Sequence, residues 1–287
     1  MRRKKHQEVR ILGLTAILLC VLITIIFILC ANTVFSPTNS GTAETPISTD
    51  STSHTTQATT STSQTSTTTK PLVTPTKKVA ITFDDGPHNI HSIAAAKELE
   101  KYGFHATFFA VGNRIDGVEY NGRSTISHLI EHGHEIGIHG YTHRAHYDTC
   151  TDKRYAEELN NTLNAIHSVA PDYKVKLMRP IGGAITNTRV SECDYSVILW
   201  NVDSEDWANK YENGDTKNEK KVKVDTIVNN VMSSVSDGSI ILMHDIYGST
   251  YDALKIILER LHAEGYEVVT VSELLGDPQP GTKYSHR

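Results

Sequence analysis

The chain has 287 residues and a formal charge of −5 at pH 7, which leaves room for one large domain with appendages or for two domains. The mild acidity excludes the basic face by which nucleic-acid binders are usually known. Apolar, polar and charged residues are segregated along the chain, so each segment has its own reading.

Residues 1–10, MRRKKHQEVR, are basic, and residues 11–31, ILGLTAILLCVLITIIFILCA, carry no charge. At ~1.5 Å per residue the uncharged run would make a helix of about 31 Å, against about 30 Å for the hydrocarbon core of a bilayer. A cleaved signal peptide has a shorter apolar region and a small residue where Leu29 stands. Neither Cys20 nor Cys30 follows Gly or Ala, which argues against lipoprotein processing. The expectation is a single-pass anchor in the cell membrane, with the basic segment in the cytoplasm and the rest of the chain outside. Residues 32–76 follow, and within them STSHTTQATTSTSQTSTTT has no apolar face to offset the entropy of ordering. They are expected to be a disordered Ser/Thr-rich tether. Residues 77–276 are expected to be one extracellular domain, and 277–287, DPQPGTKYSHR, a loose tail. Cys150 and Cys193 could pair outside a cell or stay as buried thiols.

Within 77–276, two periodicities alternate. KKVAITF reads as a strand and IHSIAAAKELEKYG as a helix closed by Gly103. ATFFAVG is a strand, STISHLIEHG a helix ending at Gly133, and HEIGIH a strand. KRYAEELNNTLNAIHSVA is a helix, and VKLMRP and YSVILWNVD are strands. VDTIVNNVMSSV is a helix, GSIILMHD a strand, TYDALKIILERLHAEG a helix closed by Gly265, and YEVVTV a last strand. This order implies an α/β fold with a mostly parallel sheet. A distorted (β/α) barrel of about seven units is expected, with a doubly wound open sheet as the alternative. Both put chemistry at the carboxyl ends of the strands. Five strands end there in ionisable residues: Asp84 and Asp85, then His139, Arg179, Asp203 with Asp206, and His244 with Asp245.

HGYTH sets His139 and His143 four residues apart, so on a helical turn both could bind one ion. HLIEH gives His128 and His132 the same spacing, but mid-helix, and these are expected to form a solvated face. His139→Ala should therefore abolish metal uptake and His128→Ala should not. Two imidazoles and the Asp85 carboxylate make a three-ligand site with an open position, the pattern of a catalytic divalent metal. A metal lowers the pKa of bound water and polarises a carbonyl, and the free Asp84 beside it can take a proton as general base. Adjacent acids repel unless one has a metal and the other a cation, for which Arg179 is the candidate. Each element also has an ordinary reading: Asp-Asp-Gly-Pro as a turn, Trp200 and Trp207 as core, Asp245 as a helix cap. Their convergence on five strand ends favours a site.

TFDDGPH (82–88), HGYTH (139–143), RPIGG (179–183), WNVDSEDW (200–207) and ILMHD (241–245), in this order, resemble the motifs of the polysaccharide deacetylase family, the NodB-homology carbohydrate esterases. The resemblance implies a distorted (β/α) barrel that removes acetyl groups from N-acetylated sugars or acetylated xylan with a divalent metal. Zinc is the expected ion, with cobalt or manganese as alternatives. By it, Asp84 is the general base, Asp85, His139 and His143 the metal ligands, and Arg179 the group that orients Asp84. His244 is the acid that protonates the leaving amine, and Asp206 holds its imidazole. Trp207 and Leu242 line the acetyl pocket, and the Gly182 N–H faces the oxyanion. RPIGG departs from the usual Arg-Pro-Pro-Tyr-Gly at Ile181 and Gly182, which loses an aromatic wall of the sugar groove and leaves the metal chemistry alone. The implied partner is an acetylated polysaccharide, peptidoglycan in a Gram-positive wall for an anchored enzyme, acted on by a monomer. An O-acetyl esterase and a non-catalytic glycan-binding module are the competing functions.

Overall fold

A computed structural model describes residues 77–208 and 223–287. The expected anchor (11–31) and tether (32–76) lie outside the described residues. Among the described residues, no helix is long and apolar enough to cross a membrane.

The strands are β1 (Lys77–Asp84), β2 (Thr107–Ala110), β3 (Glu135–Ile138), β4 (Leu177–Met178), β5 (Ser196–Ile198), β6 (Val202–Asp203), β7 (Ile240–His244), β8 (Tyr266–Val268) and β9 (Lys283–Tyr284). The helices are α1 (His91–Glu100), α2 (Gly112–Asp116), α3 (Gly122–Glu131), α4 (Asp152–His167), α5 (Asn187–Ser191), α6 (Val224–Met232), α7 (Gly248–Ala263) and α8 (Val271–Leu275). The strands pair in the order β6-β7-β1-β2-β3-β4-β5-β9, with β8 on the start of β1. Every ladder is parallel. The sheet curls on itself: Ala80, Phe109, Leu177, Ile198 and Ile240, from β1, β2, β4, β5 and β7, share one inner apolar cluster.

Period-2 alternation sorts each strand's residues between that inside and the helix layer outside. In β1, Val79, Ile81 and Phe83 face the helices, whereas Ala80 faces in. Thr82 and Asp84 follow Ala80 on the inward side. In β7, Ile241 and Met243 face out, and Ile240 faces in, with Leu242 and His244 above it. The register sets Ala80 beside Ile240, Thr82 beside Leu242 and Asp84 beside His244. Each strand thus rises from apolar plug to polar rim in steps of two. The outer layer is fully buried at Leu99, Ile126, Ile166, Leu254 and Leu258, where a Leu→Ala change costs about 2–5 kcal/mol.

Three expectations need correction. YSVILWNVD is two short strands, β5 and β6, parted at 199–201. No ladder joins them, so the sheet stays open there. The tail is not loose: Leu199 N–H donates to Tyr284 O (2.7 Å), and Arg287 N–H donates to Gly238 O (2.9 Å). It crosses the open seam because β5 presents unpaired backbone groups, and such pairing needs no apolar side chains. Finally, 139–143 is a loop and not a helical turn. Cys150 and Cys193 are both free thiols.

Candidate active site

Arg179 ties one side of the rim together. It is fully buried just past β4, where Nη1 donates to Asp84 Oδ1 (2.8 Å) and Thr82 Oγ1 (2.7 Å). Its Nε and Nη2 donate to the carbonyls of Ile198 and Leu199, each at 3.1 Å. The guanidinium lies 4.3 Å from the Phe109 ring centroid. This is the partner expected for the first aspartate, and its five-donor fork is nearly saturated. Burial lowers the Arg179 pKa, and the Asp84 carboxylate opposes that by charge and hydrogen bond.

The second aspartate turns the other way. Asp85 sits at φ 71° and His143 at φ 55°, left-handed backbone that non-glycine residues seldom adopt. Such conformations cost about 1–3 kcal/mol each and point to a functional constraint. Asp85 Oδ1 lies 2.8 Å from His143 Nε2 and 3.4 Å from His139 Nε2. His139 Nδ1 is 2.9 Å from the Arg179 carbonyl, an acceptor, so Nδ1 carries the proton and Nε2 presents its lone pair. The loop makes the pairing: Gly140 at φ 86° reverses the chain, and a side chain there would strike Tyr147 Oη at 2.8 Å. Glu158 of α4 accepts from Tyr141 N (2.5 Å), Thr142 N (2.7 Å) and Thr142 Oγ1 (2.6 Å).

On the opposite side, Asp206 accepts from His244 Nδ1, His244 N and Thr250 Oγ1, each at 2.7 Å. Burial alone would lower the His244 pKa. The hydrogen bond and charge of Asp206, with Asp84 and Asp85 beyond, outweigh it and raise the value to about 9. His244 is therefore an imidazolium at neutral pH, anchored at Nδ1.

A cleft of about 370 Å³ opens between these groups. Eight of the ten predicted site residues line it, including Gly182, Leu242 and a half-exposed Trp207. Arg179 and Asp206 are buried behind Asp84 and His244. Asp203 is also in the cleft, where its Oδ1 accepts from Trp207 Nε1 (3.2 Å) and Glu205 N (2.8 Å) and so fixes the indole.

Three positioning residues were missed in the sequence. Ser92 of α1 accepts from His88 N (2.7 Å) and donates to Asp245, which packs under Gly86. A side chain at Gly86 would stand 2.5 Å from both Asp245 oxygens. Burial pushes the Asp245 carboxyl up, Ser92 opposes, Asp85 adds to the rise, and the value reaches about 7. Thr250 gave no signal, being one hydroxyl among many. Glu158 did: it lies four residues before Thr162 and eight before Ile166, a charge on the buried face of α4.

The donor set fits a divalent cation. Ligand atoms of Asp85, His139 and His143 all lie within 4.8 Å of one another, and Asp85 Oδ1 is buried without a hydrogen-bond partner. Burial disfavours charge on His139, yet Asp84 and Asp85 more than offset this and raise its pKa. A field that holds a proton between these groups also favours a cation there. Carboxylate and imidazole donors suit zinc and similar ions, and the Arg179 carbonyl orients His139 from behind.

The parallel α/β sheet thus carries this donor set at its carboxyl rim. The family model for polysaccharide deacetylases matches residues 72–197. The peptidoglycan-N-acetylmuramic acid deacetylase PdaC of Bacillus subtilis is 36% identical over 198 residues, 69% of this chain and 38% of that protein. A peptidoglycan-N-acetylglucosamine deacetylase of Bacillus cereus is 32% identical over 207 residues, 69% of this chain and 88% of that protein. The solved PdaC structure matches with a TM-score of 0.61 at 34% identity, over 69% of this chain and 90% of that one. A family 4 acetyl xylan esterase from Clostridium thermocellum, solved with cobalt, matches with a TM-score of 0.63 at 28% identity, over 73% and 98%. The chain belongs to the polysaccharide deacetylase family. It spans about two fifths of the length of PdaC.

Proposed function

We propose that this chain hydrolyses N-acetyl groups of a cell-surface polysaccharide, namely the N-acetylglucosamine residues of peptidoglycan, releasing acetate. One observation carries this reading: an Arg179-held Asp84 and an Asp206-held His244 stand side by side on adjacent strands at the rim of a cleft that also contains Asp85, His139 and His143. A divalent ion held by those last three residues, zinc in the first instance, would polarise the acetyl carbonyl and acidify water. Asp84 then receives the proton of the attacking water as the new C–O bond forms. The Gly182 N–H supplies a fixed dipole to the developing oxyanion, and Trp207 and Leu242 enclose the methyl group. His244 Nε2 gives its proton to the amide nitrogen as the C–N bond breaks, so acetate and a free amine leave. Asp206 keeps His244 charged for that step. We also propose the distorted (β/α) barrel as the complete form of the curled sheet.

Acetate release from an N-acetylglucosamine oligomer and from peptidoglycan, with Zn²⁺ supplied, tests this. No release from either substrate with Zn²⁺, Co²⁺ or Mn²⁺ would overturn it. The likeness to an acetyl xylan esterase favours a second reading, O-deacetylation, which acetylated xylan in the same assay separates from the first. The uncharged run 11–31 and the Ser/Thr-rich 32–76 support a membrane-anchored chain with its N-terminus in the cytoplasm and this domain outside. Fractionation of cells with protease accessibility tests that placement.

A further inference from the structure

At the amino-terminal ends of the strands, away from the cleft, a second set of side chains converges. Glu100 closes α1, His128 lies in the last turn of α3, and His132 follows one turn later. Glu100 Oε1 is 3.8 Å from His128 Nε2 and 3.8 Å from His134 Nε2. Ligand atoms of Glu100, His128 and His132 all lie within 4.8 Å of one another. The His128 and His132 rings are only 3.9 Å apart between centroids.

Three atoms here are buried and have no hydrogen-bond partner: Glu100 Oε1, His128 Nε2 and His134 Nε2. Buried polar atoms are nearly always satisfied, so three orphans aimed at one point need an explanation. A direct hydrogen bond does not supply it. Both Nε2 atoms stand 3.8 Å from Glu100 Oε1, beyond hydrogen-bond reach.

The proton positions sort the rings. His132 Nδ1 lies 2.8 Å from the His128 carbonyl, so it donates, and the lone pair is on Nε2. His134 Nδ1 accepts from Ala106 N–H (3.1 Å), so its Nε2 carries the hydrogen and points at Glu100. At 3.8 Å from Glu100 Oε1 it makes no hydrogen bond to the carboxylate, and with its lone pair taken by Ala106 N–H the ring is not itself a ligand. His134, 2% exposed, has its Nε2 buried without a hydrogen-bond partner and directed at the cluster, which is the second observation beside the ligand set. His128 and His132 are partly and freely accessible, so an ion can enter from solvent.

We propose that Glu100, His128 and His132 form a second divalent-metal site, distinct from the one in the cleft, that takes Zn²⁺ or another ion with affinity for imidazole and fastens α1 to α3. Two imidazoles at i and i+4 on one helix end and a carboxylate from a neighbouring helix give the ligand types such ions prefer. The solvated face expected for this pair in the sequence is revised accordingly.

The test is metal stoichiometry on the full chain, stripped with chelator, reloaded with Zn²⁺ and dialysed. Two ions per wild-type chain are expected, one in His132→Gln, one in His139→Ala and none in the double variant. His132 is exposed, so the substitution leaves folding intact, and deacetylation by His132→Gln should be unchanged. Co²⁺ loaded into His139→Ala should give visible d–d bands that vanish on adding His132→Gln. Zn²⁺ should raise the melting temperature of His139→Ala and not that of the double variant. A wild-type chain holding one ion, lost in His139→Ala and indifferent to His132→Gln, would overturn the proposal. One ion that survives His139→Ala and leaves with His132→Gln would support this site and count instead against the metal reading of the cleft.

Discussion

His139–His143 and His128–His132 share one sequence spacing and almost nothing of local structure. The second pair is joined by helix hydrogen bonding, His132 N–H to His128 O at 3.1 Å, and the i,i+4 geometry comes with the helix. The first pair is joined by a loop that must be forced, with Gly140 and His143 at positive φ and Glu158 holding two of the three intervening backbone amides. Spacing alone therefore says little about a metal pair. What distinguishes the two is the neighbour: an Arg179-paired Asp84 beside the loop pair, and a buried His134 beside the helix pair.

The comparison can be broken by substitution, and the largest effect is expected on the loop side. His139→Ala should reduce acetate release to background and remove one ion, whereas His128→Ala should remove an ion and spare turnover. Equal loss of activity from both would erase the distinction drawn here. Asp84→Asn keeps the metal ligands and should lower kcat by about 10²–10⁴, the usual share of a general base. A change in kcat below tenfold in that variant would remove Asp84 from the chemistry.

Next in size is the support beneath. Arg179→Met leaves Asp84 buried without its partner and should cost about 3–5 kcal/mol in urea unfolding. His134→Phe, at the other site, should cost less, because it removes no charge. Glu158→Gln cannot accept every donor of the 141–142 loop, and a weakening of zinc binding by about 10–100-fold at the cleft is expected. The helix pair should keep its affinity in that variant, which isothermal titration resolves.

The smallest effect is a displacement in pH. His244 acts as acid only while protonated, and its pKa is raised to about 9 against a burial effect that would lower it. Activity should thus fall on the alkaline side, as pH climbs through that raised value. Asp206→Asn removes the main raising contact, so the alkaline limb of kcat should move to lower pH. A limb that stays in place would mean another group titrates there.

Much of this site could be read before any coordinates, for a physical reason. In a parallel sheet both faces are covered, so strands are continuous apolar runs, and an ionisable residue marks the point where the run leaves the core. Asp84, His139, Arg179 and His244 announced themselves in that way. Alternation then decides which of two adjacent acids faces inward, and Asp84 does while Asp85 begins the next turn. Other features were illegible because they depend on contacts remote in sequence. The break between β5 and β6 follows from the curl of the sheet, and the ordering of 282–287 from a seam that no local pattern reveals. Glu158 was legible as a charge on an apolar face, though its target was not. For the His128 pair, helical periodicity alone does not show Glu100 arriving from a different helix.

The most direct test is an anomalous difference map at the zinc edge, from crystals of the full chain grown with Zn²⁺. The expected result is a peak about 2.0–2.2 Å from Asp85 Oδ1, His139 Nε2 and His143 Nε2, with Asp84 still paired to Arg179 and outside the coordination sphere. A cleft with no peak, or an ion gripped by Asp84 in place of Asp85, would contradict the division of labour between the two aspartates.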